Sequence, residues 1–209
     1  MTTRLVARFS ALFLLLTWAT GLAAQAQAPA KVKTKIKGPV TTVYLVRHAE
    51  KDTAKTDPAL SPVGLVRAQA LSTVLARRHP VALFTTDTRR TRATLAPLAA
   101  ATKLEPQVYD PKQDLALAAR ISKEYVGKTV VIVGHSNTLL PLIESLGGTP
   151  PVEEIGDDEY DYLFTVRLVE GISPTVGVRG YGPERKLAAA AKAQNKAAAQ
   201  PTSSTTTPK

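Results

Sequence analysis

The sequence predicts an α/β domain, a three-layer αβα sandwich around a mostly parallel sheet. Three observations carry that prediction. Apolar runs rich in β-branched residues recur at 43–46, 81–85 and 129–133 without polar alternation, the pattern of strands buried on both faces. Segments with helical apolar spacing lie between them, as βαβ units require. The chain has 209 residues, 44% hydrophobic and 21% charged, which suits one soluble domain with a sizeable core.

The elements follow in order. Val43-Tyr44-Leu45-Val46 reads as the first buried strand. Residues 60–78 carry apolar residues at helical spacing, with Ser61 placed as N-cap and Pro62 at the first helical position. Residues 81–85 form the second strand, 88–102 the second helix, 107–109 a short strand and 112–125 the third helix. Thr129–Val133 is the clearest strand; Gly134 ends it, and a helix over 137–146 follows. Residues 162–169 and 175–180 read as strands with no helix between them, so they are expected to pair as an antiparallel edge.

The flanks differ in composition from this middle. Arg4 and Arg8 precede the apolar run 11–19, and Ala24-Gln25-Ala26 is a small-residue cleavage site, so residues 1–26 read as a signal peptide, with Ala28 as the alternative cut. The apolar run is short for a bilayer, which needs about 20 apolar residues, so no stable membrane insertion is expected after cleavage. A periplasmic or secreted mature protein follows. Residues 27–40 read as a linker, 41–183 as the domain, and 184–209, rich in Ala, Lys, Ser and Thr, as a disordered tail. The net charge of +10 lies in the flanks: residues 1–37 carry +6 and 185–209 carry +5, leaving the middle near neutral. That distribution argues against a nucleic-acid partner.

The chain has no cysteine, which removes disulfides, thiolate nucleophiles and Cys-based metal sites. It has three histidines: His48, His79 and His135. In an open α/β sheet, ligands bind beyond the carboxyl ends of the strands. Arg47-His48-Ala49-Glu50 follows the first strand, Thr85-Thr86-Asp87-Thr88-Arg89-Arg90 the second, and Gly134-His135-Ser136-Asn137 the strand over 129–133. Two histidines and a group of arginines are therefore expected at one rim. His79, before Pro80, is expected at the surface near a helix C-terminus. Arginines repel a cation, and carboxylates at ligand spacing are few, so neither a metal nor another cofactor is expected. Guanidinium forks suit phosphate oxygens, and a neutral imidazole is a competent nucleophile toward phosphorus.

At these residues the chain resembles the histidine phosphatase superfamily, the phosphoglycerate mutase-like fold. Val43–Glu50 is similar to its Arg-His signature. Leu60-Ser61-Pro62-Val63-Gly64-Leu65-Val66-Arg67-Ala68 resembles the start of its first helix, Thr85–Thr94 its second-arginine motif, and Val131–Ser136 its second-histidine motif. The resemblance covers about residues 40–180, and in compactness it is greatest to the small bacterial phosphohistidine phosphatases. It implies that His48 accepts the phosphoryl group, that Arg47 and Arg90 clamp its oxygens, and that His135 completes the pocket. Arg90 is the match, rather than Arg89 or Arg92, because the family places that Arg four residues before a Thr, here Thr94. The implied activity is hydrolysis of phosphomonoesters, or of phosphohistidine, on a small phosphorylated substrate.

The long insertion that supplies the proton donor in the mutases of this family is missing between Arg90 and His135. That argues against mutase activity and leaves the acid open. Asp110, just after the third strand, is the first candidate and Glu50 the second, ahead of Asp52 and the acidic run 153–159. The missing insertion also keeps an alternative in view: a catalytically weak or inactive protein that binds phosphate or a phosphosugar in the same pocket.

Overall fold

The computed structural model describes residues 38–182 except Lys55, and these lie within one compact unit. The expected signal peptide, most of the expected linker and the expected tail lie outside the described residues.

Six strands and four helices form in the expected order. They are β1 (Thr41–Arg47), α1 (Pro62–Leu75), β2 (Ala82–Thr85), α2 (Arg89–Thr102), β3 (Gln107–Val108), α3 (Asp114–Glu124), β4 (Thr129–Gly134), α4 (Ser136–Ser145), β5 (Tyr162–Val169) and β6 (Ile172–Gly180). The strands make one sheet in the order β3-β2-β4-β1-β5-β6. The first four are parallel, and β5 and β6 add antiparallel to β1.

Alternation along each strand divides the core into two layers. Val43, Leu45, Val130 and Ile132 face one side and meet Leu117, Ile121, Leu139 and Ile143 of α3 and α4. Tyr44, Val46, Val131 and Val133 face the other and meet Leu71, Leu75, Leu95 and Leu98 of α1 and α2. Successive residues of a strand point to opposite faces, so a strand covered on both sides must be apolar throughout. This is the pattern that made β1 and β4 readable.

Helix starts follow local chemistry. The Ser61 hydroxyl accepts from the Gly64 N–H (3.1 Å), and Thr88 caps α2 by accepting from the Thr91 N–H (3.4 Å). Lys103 ends α2 in the left-handed region. α1 stops at Leu75 and continues as a 3-10 turn over Ala76–Arg78, where the sequence predicts helix to 78; His79 closes that turn, exposed, with φ +50°. Not every apolar residue of α1 turns inward: Val63, Leu65 and Val66 are exposed, because the inner face is taken by Gly64, Ala68, Leu71 and Leu75.

The topology decides where a ligand can enter. β1 and β4 are neighbours, and Arg47 pairs in register with Gly134. The chain leaves β1 toward α1 on one face and leaves β4 toward α4 on the other. Two loops that part in opposite directions from adjacent strand ends leave a crevice between them. His48 and His135 are the residues that step into it.

Candidate active site

His48 and His135 each lie one residue beyond the paired ends of β1 and β4. The His48 N–H donates to the Gly134 carbonyl (2.9 Å), which extends the ladder one residue beyond β1. The two rings meet edge to face with centroids 5.5 Å apart. The sequence expectation that both imidazoles converge at one rim is met.

The His48 side chain is 4% exposed, and its Nδ1 lies 2.8 Å from the Ala49 carbonyl oxygen. A carbonyl only accepts, so Nδ1 carries the proton and Nε2 holds the free lone pair. Burial, with the charges of Arg90, Arg47 and His135 added, lowers its pKa from 6.5 to about 3, against the opposing carbonyl bond. Burial and the same two arginines lower His135 to about 4. Both rings are thus neutral at ordinary pH, the state a nucleophilic imidazole needs.

Neighbouring helices hold the second ring. Arg90 Nη2 donates to His135 Nδ1 at 3.4 Å, so the other nitrogen, Nε2, bears the proton and donates to the Thr86 hydroxyl (2.8 Å). Thr86 passes the chain on to Thr91 (3.1 Å), whose hydroxyl closes on the Thr86 and Thr88 carbonyls. Thr94 ties α2 to the loop after β1: it accepts from the Ala49 N–H (2.9 Å) and donates to the Arg90 carbonyl (2.7 Å). Residues four apart on a helix share a face, so Thr94 fixes Arg90 and His48 relative to each other.

A cleft of about 400 Å³ opens over these groups, lined by His48, Arg90, Lys112, His135 and the first turn of α4. Among the described residues, no carboxylate lines it. Arg90 enters this cleft as expected. Arg47 does not line it: a buried guanidinium needs acceptors, and the loop after α4 supplies them. Arg47 Nη1 donates to the carbonyls of Gly156 (2.7 Å), Asp157 (2.9 Å) and Glu159 (3.3 Å), and its plane lies 4.2 Å from the Tyr160 ring. Two nitrogens stand out: Nε of Arg47 and Nε of Arg90 are buried with no hydrogen-bond partner. An unmet buried donor costs about 1–3 kcal/mol, so such atoms are kept where something else answers them.

The expected acids are placed elsewhere. Glu50 is held by Arg67: Nε donates to both its oxygens (2.9 Å each) and Nη2 to one of them (2.7 Å). Arg67 Nη1 in turn donates to the Tyr181 carbonyl (2.9 Å). This partly buried pair packs the loop after β1 against α1 rather than lining the cleft. Asp110 is exposed and closes the turn before α3, accepting from the Lys112 N–H (2.9 Å) and Gln113 Nε2 (3.4 Å). Asp52 accepts from the Ala54 N–H (3.1 Å) in a turn of its own. Of the acidic run, Glu153 and Glu154 line a second cleft with Glu144, which shares Ser136 and Asn137 with the first.

Four contributors were not singled out from sequence: the loop carbonyls 156–159, Tyr160, Lys112 and Asp57. Carbonyls leave no mark in a sequence, since every residue has one. Tyr160 reaches within 6.0 Å of the His48 ring only through the return of that loop. The Thr85-Thr86 hydroxyls were visible, but not that Thr86 would meet His135. Asp57 sits in the β1–α1 excursion, where no periodicity places a residue.

Neutral histidine, guanidinium and helix N-terminus at one rim of an αβα sheet form a site that can hold an oxyanion. Residues 43–114 match the model of the histidine phosphatase superfamily (branch 1), and the fold is the phosphoglycerate mutase-like sandwich. Solved structures agree in fold. A mycobacterial glucosyl-3-phosphoglycerate phosphatase superposes with a TM-score of 0.57 at 16% identity, covering 68% of this chain and 99% of its own. The protein histidine phosphatase SixA, bound to tungstate, gives 0.55 at 18% identity over 66% and 96%. A phosphoserine phosphatase from Entamoeba histolytica, bound to 3-phosphoglyceric acid, gives 0.52 at 15% identity over 69% and 98%. No curated protein sequence matches the chain.

Proposed function

We propose that this protein is an exported, metal-independent phosphatase that hydrolyses phosphomonoesters, or phosphohistidine, through a phosphohistidine on His48. The observation that carries the reading is the His48 ring: Nδ1 anchored on the Ala49 carbonyl (2.8 Å), neutral, and facing His135 across 5.5 Å. The match of residues 43–114 to the superfamily model and the phosphatases among the fold neighbours support it.

The steps follow from the geometry. The phosphoryl group enters the cleft with its oxygens against Arg90 and the first amides of α4, where a helix N-terminus favours negative charge. His48 Nε2 attacks phosphorus in line, and the leaving oxygen departs toward solvent. Arg90 stabilises charge on the equatorial oxygens. Water then attacks the phosphohistidine and regenerates the neutral ring. With Glu50 tied to Arg67, a leaving group of low pKa is favoured over an alkoxide.

The test is phosphate release by purified residues 27–209 over p-nitrophenyl phosphate and a panel of phosphometabolites. Turnover that His48→Ala abolishes is expected, together with acid-labile, base-stable label on the quenched wild type. Phosphate binding without release favours the alternative, a binding protein with the same pocket; the commitment of both Glu50 and Asp110 to other partners is what keeps that reading alive. Export is checked by the N-terminus of the mature chain, expected after Ala26.

A further inference from the structure

Each guanidinium at this site has a partner on Nη1. Arg47 Nη1 donates to three carbonyls of residues 156–159, and Arg90 Nη1 faces Asp57 Oδ1 at 4.0 Å. In both, Nε is buried and unmet. On a planar guanidinium, Nε–H and the nearer Nη2–H point the same way and form a parallel donor pair that matches two oxygens of one phosphate. On Arg90 one Nη2 hydrogen goes to His135 Nδ1 (3.4 Å), so Asp57 at Nη1 and His135 at Nη2 together fix the plane of the guanidinium.

For Arg47 the holder is the backbone of a loop. For Arg90 it is a side chain, and Asp57 is built into place for it. Its backbone has φ +41°, a region few residues other than glycine adopt and a local cost of order 1 kcal/mol or more. The strands of its loop are closed below by the Lys51–Leu60 bridge and by the Asp52 N–H on the Ala59 carbonyl (3.0 Å). Its carboxylate accepts from the Arg89 N–H (3.0 Å), in the first turn of α2 where the helix favours an anion. One carboxylate thus joins the β1–α1 loop to the helix start that carries Arg90. The Asp57 side chain is 43% exposed, so its ion pair adds little to stability. What it sets is a direction.

We propose that Asp57 is a positioning residue: with His135 at Nη2, its carboxylate 4.0 Å from Nη1 sets the direction in which the Arg90 guanidinium meets the phosphoryl group above His48. The proposal rests on the reading of this cleft as a phosphoryl site. It makes a prediction whose sign separates it from electrostatics alone. A carboxylate near a phosphate repels it, so Coulomb's law says that removing the charge tightens phosphate binding. A positioning role says the reverse, because a guanidinium free to swing meets one oxygen instead of two.

The experiment is calorimetric titration of inorganic phosphate into the full chain, wild type against Asp57→Asn, Asp57→Ala and Asp57→Glu. Asn tolerates the left-handed backbone and can still accept from Arg89, so the helix start is preserved in that variant. Binding about tenfold weaker in Asp57→Asn and Asp57→Ala is expected, with most of it recovered in Asp57→Glu. In turnover, KM should rise by the same factor while kcat changes less than about threefold. Phosphate binding that is equal or tighter in Asp57→Asn overturns the proposal. So does a matched fall in kcat with KM unchanged. Wild type that binds phosphate without hydrolysing it sinks the phosphatase reading and leaves the Asp57 comparison intact; wild type that binds no phosphate overturns both.

Discussion

Acid should weaken this fold through two residues, His48 and His135. Their folded pKa values are lowered to about 3 and about 4, while an unperturbed histidine titrates at 6.5. Folded, both rings therefore bind a proton less readily than the unfolded chain does. Their contribution stands at its full value above pH 6.5 and is lost as pH falls from there toward the folded values. At about pH 4.5 the unfolded rings are almost wholly charged and the folded His48 is almost wholly neutral. The gap is about two pH units, or about 2.7 kcal/mol, for His48, and slightly less for His135, on the order of 5 kcal/mol together. Typical domains hold about 5–15 kcal/mol, so a loss of that size removes between about a third and all of the stability. Urea unfolding at about pH 7.5 and pH 4.5 measures the loss. Comparison with a His48→Asn, His135→Asn variant isolates the two rings from the carboxylates, and the variant should lack most of that 5 kcal/mol. Wild type and variant losing stability in parallel would refute the reasoning, since the two rings would then titrate alike folded and unfolded.

Three further outcomes follow from single contacts. Arg90→Lys keeps the charge but loses the parallel donor pair, so kcat/KM should fall at least about 100-fold, read from initial rates on the best substrate. Glu50→Ala leaves Arg67 charged and buried (5% exposed) and should cost about 3–5 kcal/mol in urea unfolding; adding Arg67→Met should return most of it. Gly64→Ala would drive a methyl into the Glu50 carbonyl oxygen, destabilising the protein by about 3 kcal/mol and lowering Tm in a thermal melt; an unchanged Tm would mean that the two backbones do not meet.

Much of the fold was readable because its cause is local. Strands covered on both faces must be apolar at every position, which exposes β1, β2 and β4 in the sequence. Ser61 and Thr88 cap helices by reaching three residues ahead, an interaction within one turn. The ends were less exact. α1 gives way to a 3-10 turn three residues early, and β6 begins at Ile172 rather than 175, because the Gly171 turn lets β5 and β6 pair almost to their tip. The exposed Val63, Leu65 and Val66 show that apolar spacing marks a helix without saying which side will be covered.

The site divides in the same way. The sequence by itself determined which residues stand after each strand: His48, Arg90 and His135, with Thr94 one turn beyond Arg90. Only the tertiary structure decided their partners. The sheet order put β1 beside β4 and so brought His48 to His135, though 87 residues apart in the chain. The return of the loop at 156–160 took Arg47, Arg67 took Glu50, and the β1–α1 loop delivered Asp57 to Arg90. Strand and cap are set by neighbours in the chain, whereas a buried charge takes its partner from whatever the packed layers bring within about 4 Å, and no pattern along one dimension records that.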